Sequence, residues 1–212
     1  MPCGSGWWAR ARAASGTEVI GGVAEGQTPL EPDEVKGLLI QIKTREALNQ
    51  AEEENILRAR LWAAGSPLVR GGLLTEPMIR RVHREMFNAV WRWAGRYRTS
   101  ERNLGNPWHN LAADIHQLCG NFAFRVQQGS ADPDQLAVDF HYQLVGVHAF
   151  PNGNGRHARF CADRLVENLG GAAFSWGRDD LTREVDARGR YLSALRKADA
   201  GDAVALVRFA RS

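Results

Sequence analysis

The sequence predicts an all-α protein with at most one small β-hairpin, and three observations carry that prediction. Apolar residues recur at spacings of three and four along most of the chain. Helix starts are marked by Thr44, Thr75 and the pair Asp132-Pro133. Glycine and proline punctuate the pattern between the periodic stretches. The exception is Thr99 to His109, a polar run whose Gly105, Asn106 and Pro107 suit a short hairpin.

Taken in order, Pro29, Pro32 and Asp33 mark a loop ahead of the folded part. Thr44 caps a helix with Leu48, Ala51, Asn55, Ala59 and Trp62 on one face. Gly65 to Gly72 is expected to be a loop. Thr75 caps the next helix, whose buried stripe is Ile79, Val82, Met86 and Val90. A third helix runs from about Asn110 to Val126. Asp132 caps the fourth, Pro133 occupies its first position and Gln135 can complete a capping box. Leu136, Phe140, Leu144 and Val147 form its stripe, and it ends near His148. Pro151 to Gly155 breaks the helix. A new one starts around Asn154 to Arg156 and stops at Gly170-Gly171. Val185 to Ala198 and Ala203 to Ala210 complete the set.

The length of 212 residues suits one domain with a sizeable core. Residues 1–28, rich in Gly, Ala and Ser, read as a poorly ordered leader. Residues 29–212 read as a single domain. Arg10 and Arg12 interrupt the start of the chain where a secretory signal needs an apolar run, so the expected setting is cytoplasmic. Cys3, Cys119 and Cys161 are too few and too far apart for a disulfide framework or zinc site. No apolar run approaches the roughly 20 residues of a membrane span, and no membrane partner is expected. The net charge of +3 is spread along the chain. Direct nucleic-acid binding is therefore not expected.

The chemistry concentrates in His148-Ala149-Phe150-Pro151-Asn152-Gly153-Asn154-Gly155-Arg156-His157-Ala158-Arg159. Gly153 and Gly155 allow a tight turn and close approach of a ligand. They precede a helix whose first N–H groups lack internal partners, which makes an anion site. Arg156 and Arg159 share a helix face and lean back over the loop, as a polyphosphate clamp would. His148, on the near side, can take a proton from an incoming hydroxyl. Phe150 is expected to pack into the core and fix the loop. Together these are the parts needed for transfer at phosphorus.

The run resembles the signature of the Fic/Doc (Fido) family, His-x-Phe-x-[Asp/Glu]-Gly-Asn-Gly-Arg-x-x-Arg. The resemblance implies a Fic-type helical bundle in which Thr99 to His109 is the β-hairpin flap that aligns a target segment. It implies transfer of AMP from ATP, with Mg2+, to a Ser, Thr or Tyr hydroxyl of a target protein. It implies His148 as general base. Asn154 and the N–H groups of Gly153 and Gly155 would hold phosphates, Arg156 the α/β side and Arg159 the γ-phosphate. Tyr191 is its candidate adenine contact. Trp91 to Asn103, Pro151 to Arg159 and Ala198 to Asp202 are similar to one branch, the mobile mystery protein B group. That likeness implies a helix-turn-helix companion protein and a mobile-element, toxin–antitoxin-like setting.

Two positions depart from the signature. Ala149 replaces a usual proline, a modest loosening of the loop. Asn152 replaces the metal-holding Asp or Glu with a neutral carbonyl oxygen, which weakens magnesium binding. Two alternatives to AMP transfer therefore stay open: transfer of a different phosphate-linked group, and a catalytically silent nucleotide-binding module. Many relatives also carry an inhibitory helix ending in Glu-[Gly/Asn]. Glu54-Asn55, on the helix at about 44–64, fits that ending and makes Glu54 the candidate inhibitory residue. Glu52, Glu53 and Glu54 read equally well as a solvated acidic patch. His141 and His157 read as partly exposed structural histidines. His83, His109 and His116 lack metal-ligand spacing, and Trp62, Trp91, Trp93 and Trp176 read as core.

Overall fold

The computed structural model describes residues 32–42, 44–129, 131–177 and 184–212. The expected leader at 1–28, with Cys3, lies outside them. Among the described residues the fold is a bundle of α-helices: α1 (Pro32–Val35), α2 (Arg45–Gly65), α3 (Pro67–Gly72), α4 (Glu76–Phe87), α5 (Leu111–Gln128), α6 (Pro133–Val147), α7 (Asn154–Asn168), α8 (Glu184–Asp199) and α9 (Ala203–Ala210). No helix among them is long and apolar enough to cross a membrane.

The middle of the bundle is the α6–α7 pair. Helix α6 buries Leu136, Ala137, Val138, Phe140, His141, Leu144, Val145 and Val147, which leaves little of its circumference for water. Its stripe is wider than the 3.6-residue pattern alone requires, because α5, α7 and α9 pack around it. Helix α7 buries Ala158, Phe160, Cys161, Ala162, Leu165 and Val166 against it. Helix α4 carries the expected stripe of Ile79, Val82 and Met86, packs on α2 and α7, and gives way to a turn before Val90.

The caps show which local signals were sufficient. Thr44 accepts the Ala47 N–H at 3.2 Å and starts α2 as expected. Asp132 accepts the Gln135 N–H at 2.9 Å. The capping box is not completed: the Gln135 amide reaches forward to Asp139 at 2.8 Å, where a carboxylate is the better acceptor. Thr75 sits at the start of α4 without a side-chain cap; its hydroxyl donates to the Gly72 carbonyl at 2.8 Å. The expected loop at Gly65 to Gly72 contains α3, because Ser66 caps it through the Val69 N–H and Pro67 presets its first turn. Likewise the expected loop at Pro32 and Asp33 holds α1.

The β-hairpin flap expected at Thr99 to His109 is not there. Among the described residues there is no strand, only an isolated antiparallel bridge between Leu38 and Trp91. Residues 99–107 form an irregular loop that runs into a 3-10 turn at Trp108–Asn110. The physical cause is where the loop's backbone polar groups go. Arg98 N–H donates to the Ala149 carbonyl at 3.0 Å and Asn106 N–H to that of Val147 at 3.1 Å. The buried Arg98 guanidinium then collects the carbonyls of His148, Ser100 and Asn106. Groups that would have formed a hairpin ladder are bonded to the 147–149 turn and to one side chain.

Candidate active site

The site forms where α6 ends and α7 begins. His148 is the C-cap of α6 in the left-handed conformation, with φ 53°. That conformation reverses the chain and turns the imidazole into the protein, where 7% of the residue remains exposed. A Cβ on Gly105 (φ 91°) would stand 2.4 Å from the His148 Cβ, so the loop closes on the histidine only because residue 105 has none. Burial, then the Arg98 and Arg102 guanidiniums, bring the His148 pKa down to about 4. The ring is therefore neutral near pH 7. Arg102 is itself fastened to Glu34 of α1.

The loop between the helices is braced from inside. Phe150 is buried, as expected, and stacks on His83 with ring centroids 3.8 Å apart. Asn154 accepts the Phe150 N–H at 2.9 Å and donates to the Phe150 carbonyl at 2.7 Å, so both ends of its amide hold the loop. His83 Nδ1 accepts the Gly95 N–H at 3.0 Å, which leaves Nε2 to donate to the Asn152 carbonyl at 3.1 Å. Gly153 is the N-cap of α7 with φ 79°, and a Cβ there would lie 2.5 Å from the Phe87 ring. The turn thus fits between α4 and α7 only with glycine. Beyond it, the first N–H groups of α7 face out of the helix end, as an anion site requires.

The two arginines lie one turn along. The Arg156 guanidinium sits over the Phe87 ring at 5.1 Å, and Arg159 over the Tyr191 ring at 5.0 Å. Both line a cleft of about 820 Å3 with Gln50, Glu53, Glu54 and Trp176. Its volume suits a small-molecule ligand. Tyr191 is buried, and its hydroxyl lies 3.0 Å from His141 Nε2. A Cβ on Gly155 would be 3.7 Å from that hydroxyl. The structure therefore gathers His148, Asn152, Gly153, Asn154, Gly155, Arg156, Arg159 and Tyr191 around one helix junction.

The acidic run on α2 divides. Glu54 is exposed, accepts a hydrogen bond from Gln50 at 3.4 Å and lines the cleft. Glu52 does not belong to a solvated patch. It is 3% exposed and its Oε2 meets Arg156 Nη1 at 2.8 Å. The buried face of α2 is consequently Leu48, Glu52, Asn55, Ala59 and Ala63, with Ala51 and Trp62 only half buried. His141 and His157, expected to be partly exposed, are fully buried.

The magnesium that the resemblance implies finds a poor donor set. Asn152 Oδ1 accepts the Gly153 N–H at 2.6 Å. No group of three His, Cys, Asp or Glu side chains able to hold a metal occurs among the described residues. One neutral, already engaged oxygen does not make a magnesium cage.

The sequence reading missed Arg98, Glu52, Gly105 and Phe87. Arginine and glutamate are solvent-facing by default, and nothing local says that a given one is buried. Only the glutamate's place on the apolar face of α2, four residues after Leu48, was a signal.

Residues 73–166, which hold the whole His148–Arg159 junction, match the Fic/DOC family. Among curated relatives, the protein adenylyltransferase fic-1 of Caenorhabditis elegans is 33% identical over 78 residues, which are 37% of this chain and 14% of that protein. Fic-1 of Caenorhabditis briggsae matches over the same extent. The match therefore spans a small part of the length of these relatives. Among solved structures, Fic-1 (residues 134–508) from C. elegans superposes with a TM-score of 0.66 at 23% identity, covering 83% of this chain and 51% of that one. BepC, a VirB-translocated Bartonella effector protein from Bartonella tribocorum solved with bound AMPPNP, superposes with a TM-score of 0.63 at 16% identity, covering 89% and 93%. At these identities the structural likeness establishes the Fic-type helical fold. Helix α2, with Glu52 and Glu54, and Tyr191 on α8 lie outside the matched family segment.

Proposed function

We propose that this chain is a Fic-type nucleotidyltransferase that moves AMP from ATP onto a hydroxyl side chain of a target protein. The observation that carries the reading is the junction itself. A buried, neutral histidine ends one helix, a glycine caps the start of the next, and two arginines on that second helix line a cleft. The named activity of the fic-1 relatives and the AMPPNP in the BepC structure support the same class of chemistry. The branch likeness noted in the sequence would add a helix-turn-helix companion as a partner.

In this reading the triphosphate lies along the N-terminus of α7, where unpaired N–H groups and the helix dipole favour negative charge. Arg156 and Arg159 neutralise its oxygens. The target's hydroxyl attacks the α-phosphorus and its proton passes to His148. Pyrophosphate leaves with the bonding electrons of the P–O bond that breaks. Glu54, exposed in the same cleft, acts as a brake by repelling the triphosphate.

One observation favours a second reading. The neutral Asn152 amide, already bonded to Gly153, supplies no anionic metal ligand, which suits a module that binds nucleotide without turning it over. Incubation with α-labelled and γ-labelled ATP separates the two. Label from the α-phosphate on protein, lost in His148→Asn, supports AMP transfer. Nucleotide binding with both labels silent overturns it in favour of the binding module.

A further inference from the structure

Glu52 is a carboxylate on an inward face of α2, with 3% of the residue exposed. An ionised carboxylate at that depth needs charged or strongly donating partners. It has two. Trp91 Nε1 donates to Oε1 at 2.6 Å, and Arg156 Nη1 meets Oε2 at 2.8 Å. Trp91 is itself 1% exposed and is bridged through its backbone to Leu38. Glu52 is therefore tethered at one oxygen to a fixed indole, and its other oxygen is presented to the arginine.

We infer that Glu52 is a positioning residue for the nucleotide site: the Trp91–Glu52–Arg156 chain holds the Arg156 guanidinium in place beside the start of α7, ready for phosphate. The inference rests on the nucleotide-transfer reading and extends it to a residue outside the matched family segment.

Three features point to positioning rather than to a latch that must open. The Trp91 tether gives Glu52 no route away from the site, whereas Glu54, two residues on, is exposed. Glu52 engages one nitrogen of a guanidinium that carries five N–H donors, so the pair is compatible with a second anion. Arg156 also rests on Phe87, the same ring that closes on Gly153, so the carboxylate and the ring hold it from two directions. An arginine ordered beforehand binds phosphate without the loss of rotamer freedom that a mobile one incurs.

The test measures AMPPNP affinity by titration calorimetry on the full chain for wild type, Glu52→Gln, Arg156→Gln and the double variant, with thermal melts alongside. Glu52→Gln keeps an acceptor for Trp91 but removes the charge that holds Arg156. The expected result is roughly tenfold weaker binding in Glu52→Gln, and a double variant no weaker than Arg156→Gln alone, because Glu52 acts through Arg156. Additive losses, or a lowered Tm with unchanged affinity, would show a merely structural carboxylate and overturn the inference. Equal or tighter binding in Glu52→Gln would overturn it in favour of an inhibitory contact. If Glu52→Gln does not fold, Trp91→Phe takes its place. It removes the tether together with part of a buried ring that stacks on Trp93, so a lower Tm is expected as well, and it is expected to weaken binding about threefold in wild type and not at all beside Arg156→Gln. Wild type and Arg156→Gln binding AMPPNP equally would instead sink the reading of the site itself, and this inference with it.

Discussion

Arg98 Nε donates to the carbonyl oxygen of His148 at 2.8 Å. The same guanidinium holds the carbonyls of Ser100 and Asn106, so one buried side chain joins the loop over the site to the turn that aims the histidine. It also stands among the charges that lower the His148 pKa. Arg98 therefore helps set both the position of the proposed base and, after burial, its acidity.

Replacing Arg98 with Met is expected to act on both. Three carbonyls lose their donor, which costs about 2–4 kcal/mol of stability. With a positive charge gone, the His148 pKa rises from about 4 toward its ordinary value, and the acidic limb of the pH–rate profile moves up with it. A limb that stays in place while activity falls would limit Arg98 to holding the loop.

His148→Asn tests the base without disturbing the backbone, since asparagine tolerates the left-handed conformation that His148 adopts. AMP transfer should fall by at least about 100-fold with AMPPNP affinity retained. Transfer at the wild-type rate would remove His148 from the mechanism.

Gly105→Ala places a methyl group 2.4 Å from the His148 Cβ and 2.7 Å from the Val147 carbonyl, in a backbone conformation that alanine avoids. The loop must lift from the turn. The expected outcome is a Tm lower by several degrees and a larger loss of activity than of nucleotide affinity, read from melts and steady-state kinetics.

Four histidines, His83, His141, His148 and His157, are buried and held neutral, chiefly by desolvation. The unfolded chain takes up protons near pH 6.5, but the folded chain takes them up only at about pH 4 for His148 and His157 and about 3 for His141. The stability they contribute is complete above about pH 6.5 and is lost as the pH falls toward 4. A Tm measured from pH 7.5 to 4.5 should fall steadily. A flat profile would show that these rings take up protons in the fold as readily as in the unfolded chain.

Glu54→Gly removes an exposed carboxylate from the cleft that Arg156 and Arg159 line. Under the brake proposed above, label transfer rises severalfold as repulsion of the triphosphate is relieved. Equal rates would dismiss Glu54 as an inhibitor.

Much of the site could be read from consecutive residues because its parts are local. A helix end at His148, a glycine turn and arginines three apart on the next helix all lie within a dozen positions. Local rules of capping and helical spacing decide such a unit, and the all-α class followed from the same rules applied along the chain. What lay between distant segments was decided only by tertiary structure. The hairpin expected at Thr99 to His109 was lost because the 147–149 turn, some 50 residues away, offered its backbone better partners. Glu52 was buried because Arg156, about a hundred residues away, arrived beside it. A charged residue's burial depends on a partner that its own neighbours in sequence do not name. The residues of the candidate site were thus brought together by local sequence, and their anchoring was settled by packing.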